Sequence, residues 1–264
     1  MIPTPPQDRD FPWWLVIAGI TGAWLLYQVI ADAIYAKVLA TLVQGVTITI
    51  FVTLVAYFLA CLLGLGLALA AQSRWLAVRQ VARFYVEIMR GIPIIVLLLY
   101  VAFVLAPAAV AGWNALAIPI GLPEISTRNV PLLWRAVIAL TLAYASFLAE
   151  IFRAGLQSVD KGQIEAAEAL GLNRWQRFRF IVFPQAFRTI LPPLGNDFVA
   201  MVKDSSLVSV LGVSDITQLG KVTAAGNFRY LETYNVVALI YLIMTIGLSL
   251  LLRRLERRLR QRQG

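Results

Sequence analysis

Charged and amide side chains interrupt an apolar stretch of the chain, Ile190 to Leu211, that is long enough to cross a membrane. An ionisable residue at membrane depth is costly and by default marks a pathway for a solute or an ion. Pro192, Pro193 and Gly195 precede these side chains and predict a broken helix, whose free carbonyl groups would add polar contacts. A local salt bridge between Lys203 and Asp204 that only fixes helix packing is the alternative. The candidate residues of this translocation path are Asn196, Asp197, Lys203, Asp204 and Ser205.

The chain offers no residue set for covalent or metal catalysis. It has no histidine and a single cysteine, Cys61. This composition excludes an internal disulfide, a Ser-His-Asp triad and the usual ligands of a zinc site. The phosphate-binding sequence Gly-x-x-x-x-Gly-Lys-Ser/Thr is also absent, so we do not expect the chain to hydrolyse ATP alone. The sequence therefore predicts no catalytic residue, no metal and no cofactor bound by this chain.

The composition predicts that membrane helices position the charged residues. Of 264 residues, 60% are hydrophobic and 14% are charged, whereas a soluble domain has about 25% charged residues. Continuous apolar runs of about 20 residues indicate helices rather than the alternating strands of a barrel. We therefore predict an all-α, polytopic membrane protein with about six transmembrane helices. The candidate spans are Trp14 to Ile30, Thr41 to Ala71, Ile92 to Ala111, Leu132 to Ala149, Ile190 to Leu211 and Tyr234 to Leu252.

Lysine and arginine are distributed unevenly between the two sides of this arrangement. Sixteen of them lie in residues 72–91, 150–188 and the tail 253–264, and four lie in the alternate loops. Because cytoplasmic loops carry the excess of Lys and Arg, we place those three segments and both termini in the cytoplasm. The basic tail is expected to contact anionic lipid rather than nucleic acid. The first span also fits a signal peptide, but the leader Asp8-Arg9-Asp10 is net negative and favours a retained helix.

The inner segment 150–188 carries signals for two short helices joined by a turn. Asp160 to Gln163 has the spacing of a capping box, with Asp160 as the N-cap and Gln163 reaching back to it. A helix from Ile164 to Leu170 is predicted to follow. Gly171 then stands where the residue after a helix takes a positive φ.

A second short helix is predicted after this turn. Asn173 can cap it, with Gln176 reaching back, and Pro184 is expected to end it. One face of this helix is apolar and consists of Trp175, Phe178 and Ile181. We call residues 160–184 the elbow. Its narrow first helix could enter a groove on another protein, and the alternative is an amphipathic helix that merely lies on lipid.

The elbow also resembles a known signature. Glu165-Ala166-Ala167, Gly171, Ile181 and Pro184 match in type and spacing the EAA signature of permease subunits of bacterial ABC importers. From about residue 40 to 260 the chain is similar to the polar-amino-acid branch of that family. Segments that support this similarity are Arg90-Gly91-Ile92-Pro93, Ala149-Glu150-Ile151-Phe152-Arg153, Pro184-Gln185-Ala186 and Lys203-Asp204-Ser205-Ser206-Leu207. The chain departs from the usual pattern at Phe183, Ser205 and Ser146-Phe147.

The resemblance implies a transmembrane permease subunit, not itself an enzyme, of an ATP-driven, binding-protein-dependent importer in the bacterial inner membrane. The solute would be a polar amino acid or a related small solute, moved by alternating access. The permease core would span residues 40–252, between an N-terminal segment 1–39 with one extra helix and the tail 253–264. An ion-driven secondary carrier, which would need no ATPase, is the alternative.

The resemblance also implies partners and a coupling site. An ATP-binding subunit carrying ATP and Mg would dock on the elbow, which is the coupling helix of the family. A second permease copy or paralogue would complete the path, and an extracytoplasmic solute-binding protein would deliver the solute. The implied coupling residues are Gln163, Glu165, Ala166, Ala167, Gly171 and Pro184.

Overall fold

The computed structural model describes residues 13–261, and the regular structure of this part is helical, without strands. The leader Asp8-Arg9-Asp10 and Arg262 of the tail lie outside the described residues. The α-helices are α1 (Trp13–Ala31), α2 (Ala33–Ala70), α3 (Leu76–Gly91), α4 (Ile94–Tyr100), α5 (Ala106–Ala117), α6 (Leu132–Gln157), α7 (Lys161–Ala169), α8 (Arg174–Arg177), α9 (Phe183–Asp204), α10 (Ile216–Asn227) and α11 (Tyr230–Gln261). The prediction of an all-α fold is confirmed.

Short helices of other types join some of these elements. A π-helix, Val101–Leu105, connects α4 to α5, and a second π-helix, Phe178–Val182, connects α8 to α9. A 3₁₀-helix, Ser205–Leu211, continues α9. The chain thus runs with helical geometry from residue 174, at the start of α8, to residue 211.

Four helical segments of the described part are long and apolar enough to cross a membrane. They are Ala33–Ala70, Ile94–Ile120, Leu132–Gln157 and Tyr230–Leu255, and they coincide with four of the six spans that the sequence predicts. The other two predicted spans are also helical. Helix α1 contributes a shorter apolar segment, Gly19–Ala31, and α9 carries charged residues along its length.

The main core forms where α2 packs against α6. Small residues line this contact, and Ala56, Ala60 and Ala143 are almost completely buried. A Cβ added at Gly64 would lie 3.0 Å from the carbonyl oxygen of Ala145, so the two backbones approach closely. Small residues allow such close approach between membrane helices. Helix α9, which carries the charged residues, packs against this helix pair.

Helix α10 was not predicted from the sequence, and it packs on α2 and α11. Asp215 is fully buried and caps α10 by accepting hydrogen bonds from the backbone N–H groups of Thr217 and Gln218, at 3.2 and 2.8 Å. The Tyr241 hydroxyl of α11 donates a third hydrogen bond to this carboxylate at 3.1 Å. The cap therefore joins α10 to α11 as well as starting the helix.

Two helix ends predicted from prolines are wrong. Helix α9 passes through Pro192 and Pro193 without a break, and α2 contacts the residue that follows them. The Tyr57 hydroxyl donates to the carbonyl of Leu194 at 2.7 Å. Nor does Pro184 end a helix, since it lies in the first turn of α9. A proline there leaves no N–H unpaired, and it follows the wider turn of a π-helix.

The segment 112–131, which joins the span Ile94–Ile120 to α6, has a helical first part and is tied together by side chains. Helix α5 extends to Ala117, and the side-chain amide of Asn114 both donates to and accepts from the backbone of Ile125. The guanidinium of buried Arg135 donates to the carbonyls of Ala102, Thr127 and Val130. This segment is therefore fastened to the start of α6 and to the π-helix after α4.

Candidate functional site

The first arm of the elbow is helix α7, and its two ends are held in different ways. The side chain of Asp160 accepts from the N–H of Gly162 at 2.7 Å, which confirms Asp160 as the N-cap. The prediction that Gln163 reaches back to the cap is wrong. Its side-chain oxygen instead accepts from the amide of Gln185 at 2.5 Å. This hydrogen bond fastens α7 to the first turns of α9.

The turn of the elbow depends on the conformation of Gly171, which has a φ of +77°. The N–H of Leu172 donates to Ala167 at 3.1 Å, and the N–H of Gly171 donates to Glu168 at 2.9 Å. These two bonds define a Schellman motif, which requires a left-handed residue at this position. A Cβ on Gly171 would meet no atom within 4 Å. The requirement for glycine is therefore conformational and not steric.

The second arm is α8 with the π-helix that follows it. Asn173 and Gln176 exchange hydrogen bonds of 2.9 Å in a complete capping box, as predicted. The guanidinium of Arg177 lies 2.7 Å from the carboxylate of Glu168 on the first arm. The two arms are thus linked by a surface salt bridge as well as by the turn.

The elbow presents different faces to the protein and to its surroundings. Ala167 is buried, and Ile164 packs against a small cluster of Val159, Ala186 and Ile190 below the elbow. Glu165 and Ala166 are exposed, and Leu170 at the tip is 81% exposed. The outer face of α7 therefore carries a small side chain at its centre, a charged one at one end and an apolar one at the other. Such a face suits a groove on another protein.

The candidate path residues lie on two faces of α9 and at its end. Asn196 and Lys203, two turns apart, are exposed, whereas Asp197 and Asp204 share a half-buried face. Ser205 is fully buried, and its hydroxyl donates to the carbonyl of Val202 at 2.7 Å. The structure therefore brings the two carboxylates to the same side and separates both from Lys203.

The half-buried face meets two tyrosines that the sequence analysis missed. The Tyr144 hydroxyl donates to the carboxylate of Asp204 at 2.7 Å. Tyr57, which bonds the carbonyl of Leu194, packs its ring edge-on against Phe198 with centroids 4.9 Å apart. Both tyrosines stand inside predicted spans, and a search for hydroxyl groups in apolar runs would have found them. Together they place polar groups beside the carboxylates.

Lys203 lies away from this cluster. It borders a groove of about 370 Å³ between α9 and α11, together with Thr245, Ser249 and Arg253. Within residues 13–261 it forms no salt bridge with Asp204, and the packing alternative loses its proposed contact. The exposed side chain of Lys203 instead faces outward from the chain.

Comparison with known protein families shows to which family the chain belongs. A family model described as the inner membrane component of binding-protein-dependent transport systems matches residues 60–263. This chain belongs to that family. The permease is 37% identical to the probable amino-acid permease protein YxeN of Bacillus subtilis, over 80% of this chain and 88% of that protein. It is 35% identical to the glutamine transport system permease protein GlnP of Escherichia coli, over 83% of this chain and 93% of that protein.

Solved structures agree with the assignment. The permease superposes on the crystal structure of an amino acid ABC transporter with histidines at a TM-score of 0.70 and 36% identity, over 84% of this chain and 96% of that one. Against the inward-facing MetNI methionine ABC transporter the TM-score is 0.61 at 22% identity, which shows the shared fold alone. The permease therefore has the fold and sequence of the polar-amino-acid branch of ABC importers. These findings support an importer subunit and not an ion-driven carrier.

Proposed function

We propose that this permease forms the membrane path of an importer for a polar amino acid in the bacterial inner membrane. The observation that carries the proposal is the similarity of about four fifths of the chain to amino-acid permeases. Other relatives at 31% identity are an arginine transport permease of Bacillus subtilis and a glutamate/aspartate import permease of Escherichia coli. Because those names cover neutral, basic and acidic side chains, the proposal extends to polar amino acids as a class.

A separate ATP-binding subunit would supply the ATP and Mg chemistry and would dock on the elbow. The defined turn between the two arms and the hydrogen bond between α7 and α9 support this role, because they would pass the displacement of a docked partner on to α9. The exposed Glu165, Ala166 and Leu170 would enter the partner's groove, while Gln163 and Ile164 hold the elbow on α9 and Ala167 is buried. Pro184 lies just beyond, where the second arm becomes α9.

A second permease copy or a paralogue would complete the path. Asn196 and Lys203 are exposed on α9 although their helix carries the candidate path, and a neighbouring permease would cover them. Asp197 and Asp204 would face the solute from within the chain, and Ser205, which is fully buried, would hold the end of α9 behind them. An extracytoplasmic binding protein would deliver the solute, and movement of the elbows with the ATPase would open the path alternately to the two sides.

A substitution series at Gly171 tests the coupling role. A left-handed conformation costs an L-residue about 1–2 kcal/mol, which corresponds to a roughly 5- to 30-fold loss if the strain falls on the docked elbow. Gly171→Val should therefore weaken retention of the ATPase subunit and abolish solute-stimulated ATP turnover in reconstituted vesicles. Gly171→Asn is the matched control, because Asn adopts this conformation readily and a Cβ meets no atom there.

Glu165→Lys tests the exposed face without disturbing the turn. The carboxylate lies near the start of α7, where reversal of its charge costs about 0.3–1 kcal/mol through the helix dipole. ATPase retention should fall by more than this cost accounts for, while the amount of inserted permease stays unchanged. Full retention and full stimulated turnover in both Gly171→Val and Glu165→Lys would make the elbow a lipid-surface element and would remove the proposed coupling.

A further inference from the structure

A polar cavity of about 430 Å³ opens where α2, α3 and α6 meet, on the side of the molecule that carries the elbow. Its charged and amide lining is formed by Arg83, Glu87 and Arg90 of α3 and Glu150, Arg153 and Gln157 of α6. The last turns of α6 lead directly into the elbow. The cavity therefore lies at the ends of membrane helices, at the level of lipid headgroups.

Part of the charge in this cavity is already neutralised within α6. The Nε of Arg153 lies 3.1 Å from a carboxylate oxygen of Glu150, and its Nη1 donates to Gln157 at 3.0 Å. Arg83 and Arg90 form no ion pair with any carboxylate in the described part of the chain. With Glu87 beside them, they leave the α3 side of the cavity with one excess positive charge.

Helix α3 has three distinct faces around this cavity. Ala82 and Val86 are buried against the rest of the protein. Arg83, Glu87 and Arg90, spaced at four and three residues, form the polar face. Adjacent to it lies an uncovered apolar face of Val81, Phe84 and Ile88, of which Phe84 is 69% exposed. A cationic cavity bordered by an open apolar strip suits a ligand with an anionic head and a hydrocarbon tail.

We propose that this cavity binds the headgroup of phosphatidylglycerol from the adjoining membrane leaflet. The phosphate diester accepts charge-assisted hydrogen bonds from Arg83 and Arg90, and its single negative charge balances the excess charge of the site. The glycerol hydroxyls of the headgroup donate to the carboxylate of Glu87. The acyl chains lie along Val81, Phe84 and Ile88, outside the cavity. This inference depends on the membrane helices and not on the transported solute.

Lipid retention by the full-length permease, in the assembly in which it purifies, tests the site. Native mass spectrometry after titration with phosphatidylglycerol, phosphatidylethanolamine or phosphatidylcholine should show preferential retention of phosphatidylglycerol. Each basic side chain near a membrane surface contributes about a factor of five, so Arg83→Gln and Arg90→Gln should each lower retention about fivefold. Arg74→Gln is the matched control, because Arg74 is exposed on the same side and does not line the cavity.

A variant that is expected to raise lipid retention distinguishes a change in lipid binding from a change in folding. Glu87→Gln removes a negative charge but keeps an oxygen acceptor, so it should raise the retention of phosphatidylglycerol, which a damaged fold would not do. Equal losses in Arg74→Gln and Arg83→Gln would show diffuse surface attraction and overturn the proposal. Equal retention of phosphatidylcholine, or displacement of the lipid by soluble glycerophosphoglycerol at the same concentration, would overturn it as well, because the site would then not recognise this lipid.

Discussion

Replacement of Gly45 by alanine should loosen the contact between α2 and α10. A Cβ at this position would lie 2.6 Å from the backbone nitrogen of Ile216 and 2.7 Å from the carbonyl carbon of Asp215. Both neighbours are backbone atoms, so no side-chain rotation can relieve the overlap. They also belong to the buried cap that starts α10. The two helices must therefore separate, or the cap must shift.

The size of the effect follows from these distances. Carbon atoms pack at about 3.5–4.0 Å, so the helices must separate by roughly 1 Å at this point. Overpacking costs about 1–3 kcal/mol, and contacts this close to backbone atoms place Gly45→Ala in the upper part of that range, at about 2–3 kcal/mol. The gain from alanine in a helix interior is about 0.5–1 kcal/mol, which offsets only part of that cost. A net loss of about 1–2 kcal/mol lowers the midpoint of thermal unfolding by roughly 2–8 °C in a chain of this size.

Gly66→Ala on the same helix is the matched control. A Cβ at Gly66 would meet no atom within 4 Å, so alanine should leave stability unchanged or raise it by about 0.5–1 kcal/mol. The measurement is the unfolding temperature of the purified permease, followed by tryptophan fluorescence and by the monodisperse fraction after heating. Equal unfolding temperatures for the two alanine variants would refute the close contact between α2 and α10.

Two further substitutions test the outer segment and the path. Arg135→Met removes the side-chain donor from the buried carbonyl of Ala102, at about 1–3 kcal/mol, and from the part-buried carbonyls of Thr127 and Val130. It should therefore lower the unfolding temperature far more than Arg128→Met at an exposed position of the same segment. Lys203→Met should lower solute uptake in vesicles while the amount of folded complex stays constant. The reason is that Lys203 is exposed and forms no ion pair within residues 13–261. If uptake and the amount of folded complex fall together, Lys203 has a packing role instead.

Features governed by neighbours in the sequence were predictable. The N-cap at Asp160, the positive φ of Gly171 and the capping box of Asn173 with Gln176 all depend on contacts within about five residues. Four spans were predictable for a similar reason, since length and hydropathy are local sums. These features fix the shape of the elbow and the class of fold.

Features decided by distant contacts were not predictable. Gln163 has the spacing of a capping residue but bonds Gln185 of α9, which a local pattern does not reveal. The proline pair in α9 predicts a break, yet the helix continues through both prolines and packs against α2, where Tyr57 bonds the carbonyl of Leu194. The polar face of α9 was recognised by its charges, whereas the hydrogen bond from Tyr144 to Asp204 joins residues 60 positions apart and depends on how α6 packs against α9.

Helical geometry is continuous from α8 through the π-helix to the end of α9, so a rotation of the proposed coupling elbow would be carried along this length of chain. Residues 174–204 have helical geometry throughout, and at 1.5 Å per residue they form a rod about 45 Å long. A tilt of roughly 10° at the elbow would displace the far end by about 8 Å over that length. A small rotation at one membrane surface would therefore become a large displacement at the other. The π-helix Phe178–Val182, directly before α9, would be the pivot of this movement.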